Sequence, residues 1–215
     1  MAESFLAKEN LMMHPNKIKI VVGISGRGKS LENLWQTAQK PSGKFEIVGV
    51  VASNDQCAGL VFAKSKNIPI TSGYFSNSDY PQNLEAWLSE RSTDWIFLAG
   101  FIRVFPILEQ YEGKIINIHP SLLPKHGGKG MYGLNVHRSV LESGDKISGA
   151  TVHIVTKDFD QGPILAQVKV PVTVKEPQSL AQQVFAAECD LYPKVANWLA
   201  DEQLPKNQPI IYDFM

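Results

Sequence analysis

Four near-continuous apolar runs limit what this chain can fold into. "KIKIVVGIS" begins at Lys17, "FEIVGVVAS" at Phe45, "DWIFLAGF" at Asp94 and "GKIINIH" at Gly113. A strand that is apolar along its whole length has no face to show to water, so it belongs in a sheet covered on both sides. The intervening segments "KSLENLWQTAQK", "CAGLVFAKSKN" and "YPQNLEAWLSER" carry apolar residues at helical spacing, and the short "IPIT" reads as a further strand. Alternation of this kind predicts parallel strands joined by helices. The pattern changes after His119: Pro120–Gly133 is rich in Pro and Gly, a helix is expected near Asn135–Glu142, and "GATVHIVT" and "PILAQVKVPVTV" read as an antiparallel pair. The last helix is expected to begin near Ser179, with Ser179 and Gln182 as a capping box, and Pro193 is expected to kink or interrupt it. The fold class that follows is α/β: a Rossmann-like, mostly parallel twisted sheet with helices on both faces and an antiparallel C-terminal strand pair.

A chain of 215 residues can bury a full core without a disulfide or a metal. We expect one domain over residues 17–215, with a phosphate- or nucleotide-binding half at 17–116 and a second half at 117–215 carrying the rest of the site. Residues 1–16 resemble neither a signal nor a transit peptide and are expected to be a disordered tail. Lys+Arg and Asp+Glu balance at 21 each, so no basic field draws nucleic acid. No apolar run reaches membrane-spanning length. Cys57 and Cys189 are unpaired by spacing and point to a reducing, cytoplasmic setting. No His/Cys/Asp set has metal-ligand spacing, and no metal is expected.

"GISGRGKS", Gly23–Ser30, matches the phosphate-loop pattern G-x-x-x-x-G-K-[ST] between a strand and a helix. Unpaired N–H groups at a helix start, aligned with its dipole, favour an anion there whatever the protein is. A nucleotide kinase would also need an acidic residue at the C-terminal end of a buried strand and gathered arginines. Asp94 stands at the start of its strand, Asp55 is the remaining candidate, and Arg27, Arg91, Arg103 and Arg138 are scattered.

Asn117 and His119 in "INIHPSLLP" lie two apart on a strand and therefore face the same way. An amide and an imidazole at the C-terminal end of such a strand can hold a developing oxyanion and shuttle a proton, or they can close a turn before Pro120. In "KDFDQGPIL", Asp158 and Asp160 either form an Asx-turn or hold the imidazole.

With these residues in place, the chain resembles the phosphoribosylglycinamide formyltransferases, folate-dependent enzymes of purine synthesis. The matching blocks are "VVGISGRGKSLENL", "DWIFLAGFIRVF", "IINIHPSLLP", "HRSVLESGDKISGATVHIVTKDFDQGPILAQ" and "AAECDLYPKV", in family order over almost all of the chain after residue 17. "NIHPSLLP" followed by "TVH" and D-x-GPI is specific to folate-dependent formyltransferases. The resemblance implies transfer of a formyl group from 10-formyltetrahydrofolate, a co-substrate, to the glycine amine of glycinamide ribonucleotide. It implies Asn117 for the oxyanion, His119 as proton donor, and Asp160 raising the imidazole's pKa and positioning it or a water. It implies Gly28, Lys29 and Ser30 at the substrate phosphate, and Glu188 and Gly100 at the ribose or glycinamide. The folate pocket would use Ile102, Arg103, Val104 and Phe105, with Asn117, Ile154, Val155, Thr156 and Asp160.

The partners implied are small molecules, with no nucleic acid and no membrane, for a monomer or homodimer. The alternatives are a formyltransferase acting on another amine, such as an amino sugar nucleotide, a phosphate-loop kinase, or a non-catalytic folate- or nucleotide-binding protein. Lys29 and Ser30 depart from the small polar residues common in the family loop, and the Gly-rich run from His126 to Gly133 is longer than in shorter members. That run is expected to form a flap beside the cleft. His153 is read as a hydrogen-bonded core residue, His126 as a residue without an evident partner, and Trp35, Trp87 and Trp198 as packing.

Overall fold

The computed structural model describes residues 17–73, 80–205 and 208–214; the tail 1–16 lies outside them. In chain order the elements are β1 Ile18–Ile24, α1 Lys29–Ala38, β2 Phe45–Ala52, α2 Gly59–Ser65, β3 Ile70–Ser72, α3 Tyr80–Glu90 and β4 Trp95–Leu98. There follow β5 Ile115–His119, α4 Leu134–Glu142, β6 Ile147–Ile154, β7 Ile164–Pro171, α5 Pro177–Ala200 and β8 Ile210–Asp213. They build one eight-stranded sheet in the order β3-β2-β1-β4-β5-β6-β7-β8.

The first five strands are parallel, as their apolar runs predict. Strand β6 is antiparallel to both β5 and β7, while β8, which the sequence reading did not resolve, runs parallel to β7. Helices lie on both faces but unequally. Leu31 and Leu34 of α1, Leu60 of α2, Val140 of α4 and Leu180, Val184 and Leu191 of α5 share one core with Ile20, Val22 and Phe97. Tyr80, Leu84 and Leu88, spaced four apart on α3, pack with Val21, Ile96 and Ile115 on the other face. The tryptophans are packing residues: Trp35 and Trp198 flank the first core and Trp87 the second.

Two helix expectations are corrected. Helix α5 starts at Pro177, after Glu176, with no side-chain cap, so Ser179 and Gln182 form no capping box. Proline's fixed φ is suited to the first helical turn and sets the start earlier than the hydroxyl would. Nor does Pro193 interrupt α5, which continues to Ala200. An interior proline costs about 3 kcal/mol, but Leu191, Tyr192, Pro193, Val195 and Ala196 are all buried. Several fully buried apolar side chains contribute roughly 1.5–3 kcal/mol each and outweigh one lost hydrogen bond. Tyr192 also anchors the helix to the sheet, its hydroxyl lying 3.0 Å from the Leu98 carbonyl and 3.3 Å from that of Ile116.

Candidate active site

Beyond the C-terminal ends of β1, β4 and β5 lies a cleft of about 640 Å³. This is where the chain reverses direction across the sheet: β1 leads outward through β2 and β3, and β4 returns to its other side. Such a switch point opens a crevice between diverging loops. One wall is the loop after β1, with Gly28, Lys29 and Ser30. Gly28 caps α1 with φ 75° and no side-chain cap, which leaves the helix's first N–H groups facing the cleft. Ile102 N–H bonds Ser25 Oγ at 3.0 Å and ties this loop to the one after β4.

The cleft also has an apolar lining. Ile102, Val104, Phe105 and Val155 line it, with Arg103 and Thr156. Ile154 is not among the lining residues, contrary to expectation. It follows His153 on β6, so strand alternation turns its side chain to the opposite face, where it packs against the α1-side core.

Asn117, His119 and Asp160 line the same cleft. His119 Nδ1 is 3.5 Å from Asp160 Oδ2, and its Nε2 is 2.9 Å from the carbonyl of His126. Only His119 Nε2–H can serve that carbonyl, which leaves Nδ1 towards the carboxylate. Asp160 Oδ2 also accepts the Gly128 N–H at 2.8 Å. His153 Nδ1–H donates to the Ile154 carbonyl at 2.9 Å, so in the neutral ring Nε2 accepts one N–H of the Asn117 amide, 3.2 Å away, while in the protonated ring Nε2–H can turn to Asp160 Oδ1 at 3.5 Å. The second amide N–H of Asn117 is left for the cleft.

Burial controls the charges. It lowers the His119 pKa below its ordinary 6.5 despite the opposing pull of Asp160 and the His126 carbonyl. The expectation that Asp160 sets the imidazole's net shift is therefore corrected: the carboxylate acts in the expected sense, but desolvation of a ring 4% exposed is larger. For Asp160, burial raises the pKa, but His153, His119 and the Gly128 N–H outweigh it and hold the carboxyl low. His137, buried behind His119, is pushed down to about 4 by burial and by His119. Glu188, half-buried on α5, is pushed up to about 8 by burial.

Glu188 carries a testable consequence. A carboxyl at about 8 when folded against an ordinary 4.5 binds a proton the unfolded chain releases. That stabilises the fold below pH 4.5 and is lost as pH rises through 8. Glu188→Gln should flatten the fall of Tm between pH 5 and pH 9 and be the more stable protein at the alkaline end, within about that window. Parallel Tm curves for the two proteins would show that Glu188 is not held neutral.

Residues 18–196 match the formyl transferase family. The chain belongs to that family. It is 33% identical over 198 residues to the phosphoribosylglycinamide formyltransferase of Escherichia coli (strain K12), covering 89% of this chain and 91% of that one. It is 34% identical to the chloroplastic phosphoribosylglycinamide formyltransferase of Arabidopsis thaliana, over 88% of this chain and 68% of that one. A crystal structure of the Anaplasma phagocytophilum enzyme of the same name superposes with a TM-score of 0.80 at 32% identity, covering 91% of this chain and 97% of that one.

As a formyl transferase, the chain is a formyl-transferring enzyme. Among the described residues no group of three or more His, Cys, Asp or Glu could hold a metal ion, and no helix is long and apolar enough to cross a membrane. The expected set Gly28, Lys29, Ser30, Gly100, Ile102–Phe105, Asn117, Val155, Thr156, Asp160, His119 and Glu188 lines a single cleft. Sequence reasoning did not foresee Phe185, one turn before Glu188 on α5; Met131 and Tyr132, in the Gly-rich run expected beside the cleft, line it as well. Helical spacing from Glu188 could have found Phe185. His126, read as having no partner, is bonded to Ser139 and Asp145.

Proposed function

We propose that this formyl transferase moves the formyl group of 10-formyltetrahydrofolate to the glycine amine of N1-(5-phospho-β-D-ribosyl)glycinamide, a step of de novo purine (IMP) synthesis. The observation that carries the reading is the gathering of Asn117, His119 and Asp160 in one cleft with the uncapped start of α1 and a set of apolar side chains. A phosphorylated amine and a large, partly apolar formyl donor suit such a lining. The volume lies in the range of small-molecule sites, roughly 300–1,000 Å³. The names of the relatives support the choice of amine.

In this reading the half at 17–116 supplies the phosphate site and the half at 117–215 the chemistry. The α1 N–H groups at Gly28–Ser30 hold the phosphate, and Glu188 with Gly100 holds the ribose and glycinamide. Ile102–Phe105 and Val155–Thr156 hold the folate ring. As the amine adds to the formyl carbon, the carbonyl oxygen gains charge, and Asn117 donates its free N–H to it. His119 with Asp160 takes the proton that leaves the amine and returns it to the folate nitrogen as the old C–N bond breaks. No step uses a metal ion. The reading carries with it small-molecule partners, a cytoplasmic setting and a monomer or homodimer.

The test is purified protein with both substrates, following loss of the formyl group from the folate by absorbance. Turnover that requires glycinamide ribonucleotide is expected; turnover with an amino sugar nucleotide in its place would overturn the choice of amine. Lys29 bears on the same reading. Its side chain is exposed at the cleft, 5.9 Å from the Phe185 ring centroid. An exposed contact to phosphate is present in ground and transition states alike, so Lys29→Ala should raise KM for the ribonucleotide more than it lowers kcat. The penalty should shrink at high salt, where such charges are screened. Loss of kcat at unchanged KM would place Lys29 at the reacting atoms instead.

A further inference from the structure

His126 stands outside the cleft's lining, yet both of its ring nitrogens are engaged. Nδ1 is 2.8 Å from Ser139 Oγ on α4, and Nε2 is 2.9 Å from Asp145 Oδ2 in the turn before β6. Asp145 is held in turn by Lys125 Nζ at 3.1 Å. The His126 side chain is 12% exposed, and its backbone is in the left-handed region at φ 55°, which is uncommon for a non-glycine residue. That backbone turn aims the His126 carbonyl at His119 Nε2, 2.9 Å away. Two residues on, the Gly128 N–H reaches Asp160 Oδ2 at 2.8 Å. One short segment therefore grips both members of the His119–Asp160 pair, and the segment is fixed by a side chain facing away from the cleft.

We propose that His126 is a positioning residue for formyl transfer: pinned by Ser139 and Asp145, it presents its carbonyl to His119 Nε2–H and thereby assigns the transferable proton of His119 to Nδ1, on the Asp160 side. A backbone carbonyl accepts only, so the ring must keep its proton on Nε2 in the neutral state. A proton taken up during the reaction then arrives at Nδ1, where Asp160 Oδ2 stabilises it as an ion pair. If the carbonyl turned away, the neutral ring would be free to place its proton on Nδ1, against the carboxylate, and the site that must receive a proton would be filled. His126 touches no substrate in this account; it acts through His119.

The proposal rests on the formyl-transfer reading for its kinetic arm only. Uniformly 15N-labelled protein reports the His119 tautomer by imidazole NMR without any substrate, the His119 signals being assigned with His119→Gln. Wild-type protein should show the Nε2–H tautomer when neutral. In His126→Ala that signal should shift towards a mixture. Misplacement of a reacting group by about 1 Å can cost on the order of 10²-fold in rate, so kcat should fall by about tenfold to a hundredfold, with KM for both substrates within about twofold. His126→Gln keeps a donor towards Asp145 and should recover most of the rate and the tautomer. Asp145→Asn, a milder change in the turn, covers the case in which His126→Ala does not fold; it should move both readouts in the same direction. An unchanged His119 tautomer in folded His126→Ala, or in Asp145→Asn, would overturn the proposal, as would equal loss in His126→Ala and His126→Gln. A wild-type protein that shows the tautomer but no turnover would sink the choice of substrates and leave the His126 assignment standing.

Discussion

Asn117→Ala and His119→Ala are each expected to lower kcat by about 10²–10³, or roughly 3–4 kcal/mol of transition-state stabilisation, with the fold intact. Asn117 is already oriented by His153 Nε2 at 3.2 Å. Its amide does not have to reorganise as charge develops on the formyl oxygen, and this pre-alignment is what makes an oxyanion donor effective in a site shielded from water. His119 is buried and its pKa is lowered by that burial, so the free enzyme presents a neutral ring near neutral pH. Asp160→Asn should cost a comparable factor. It keeps an oxygen for the Gly128 N–H but removes the charge that stabilises a proton on His119 Nδ1, 3.5 Å away. Steady-state kinetics of the three variants, with circular dichroism to confirm folding, checks all of this. Turnover within a few-fold of wild type in any one would remove the role assigned to that residue.

The second large effect is expected at Gly28, and it combines stability with binding. Its φ of 75° is the left-handed conformation, which costs an L-residue about 1–2 kcal/mol. A Cβ there would also stand 2.8 Å from the Gly59 Cα, a backbone atom at the start of α2 that cannot swing aside. Gly59 is equally confined, a Cβ on it meeting the Gly28 Cα at 2.9 Å, so the two glycines form a close contact between the phosphate loop and α2. Gly28→Ala should therefore destabilise the protein by about 2–3 kcal/mol, lowering Tm by roughly 4–12 °C for a chain of this size. Because Gly28 caps α1, the N–H groups that face the cleft move with it, and KM for the phosphorylated substrate should rise in the folded fraction. Thermal denaturation and inhibition by inorganic phosphate give the two readouts. A variant with unchanged Tm and unchanged phosphate inhibition would show that the loop has slack the structure does not reveal.

Much of the architecture was legible because it depends on local patterns. Burial on both faces is written into a run such as "IKIVVGI", and period two alone puts Asn117 and His119 on one side of β5. The same periodicity, applied one residue further along β6, would have excluded Ile154 from the cleft and admitted His153. The start of α5 was misread because two local signals competed, Pro177 and Ser179, and proline's fixed φ prevailed.

What only the tertiary structure decided concerns residues far apart in the chain. Asp160 meets His119 because the connection from β6 to β7 folds back over the end of β5, a pairing no local spacing encodes. His126 had no partner in its own segment; Ser139 and Asp145 reach it from α4 and the turn beyond. The sign of the His119 shift could not be read from the presence of a carboxylate, since it is a balance between desolvation and attraction, and the depth of burial that settles that balance exists only once the sheet, the loop and α4 have packed together.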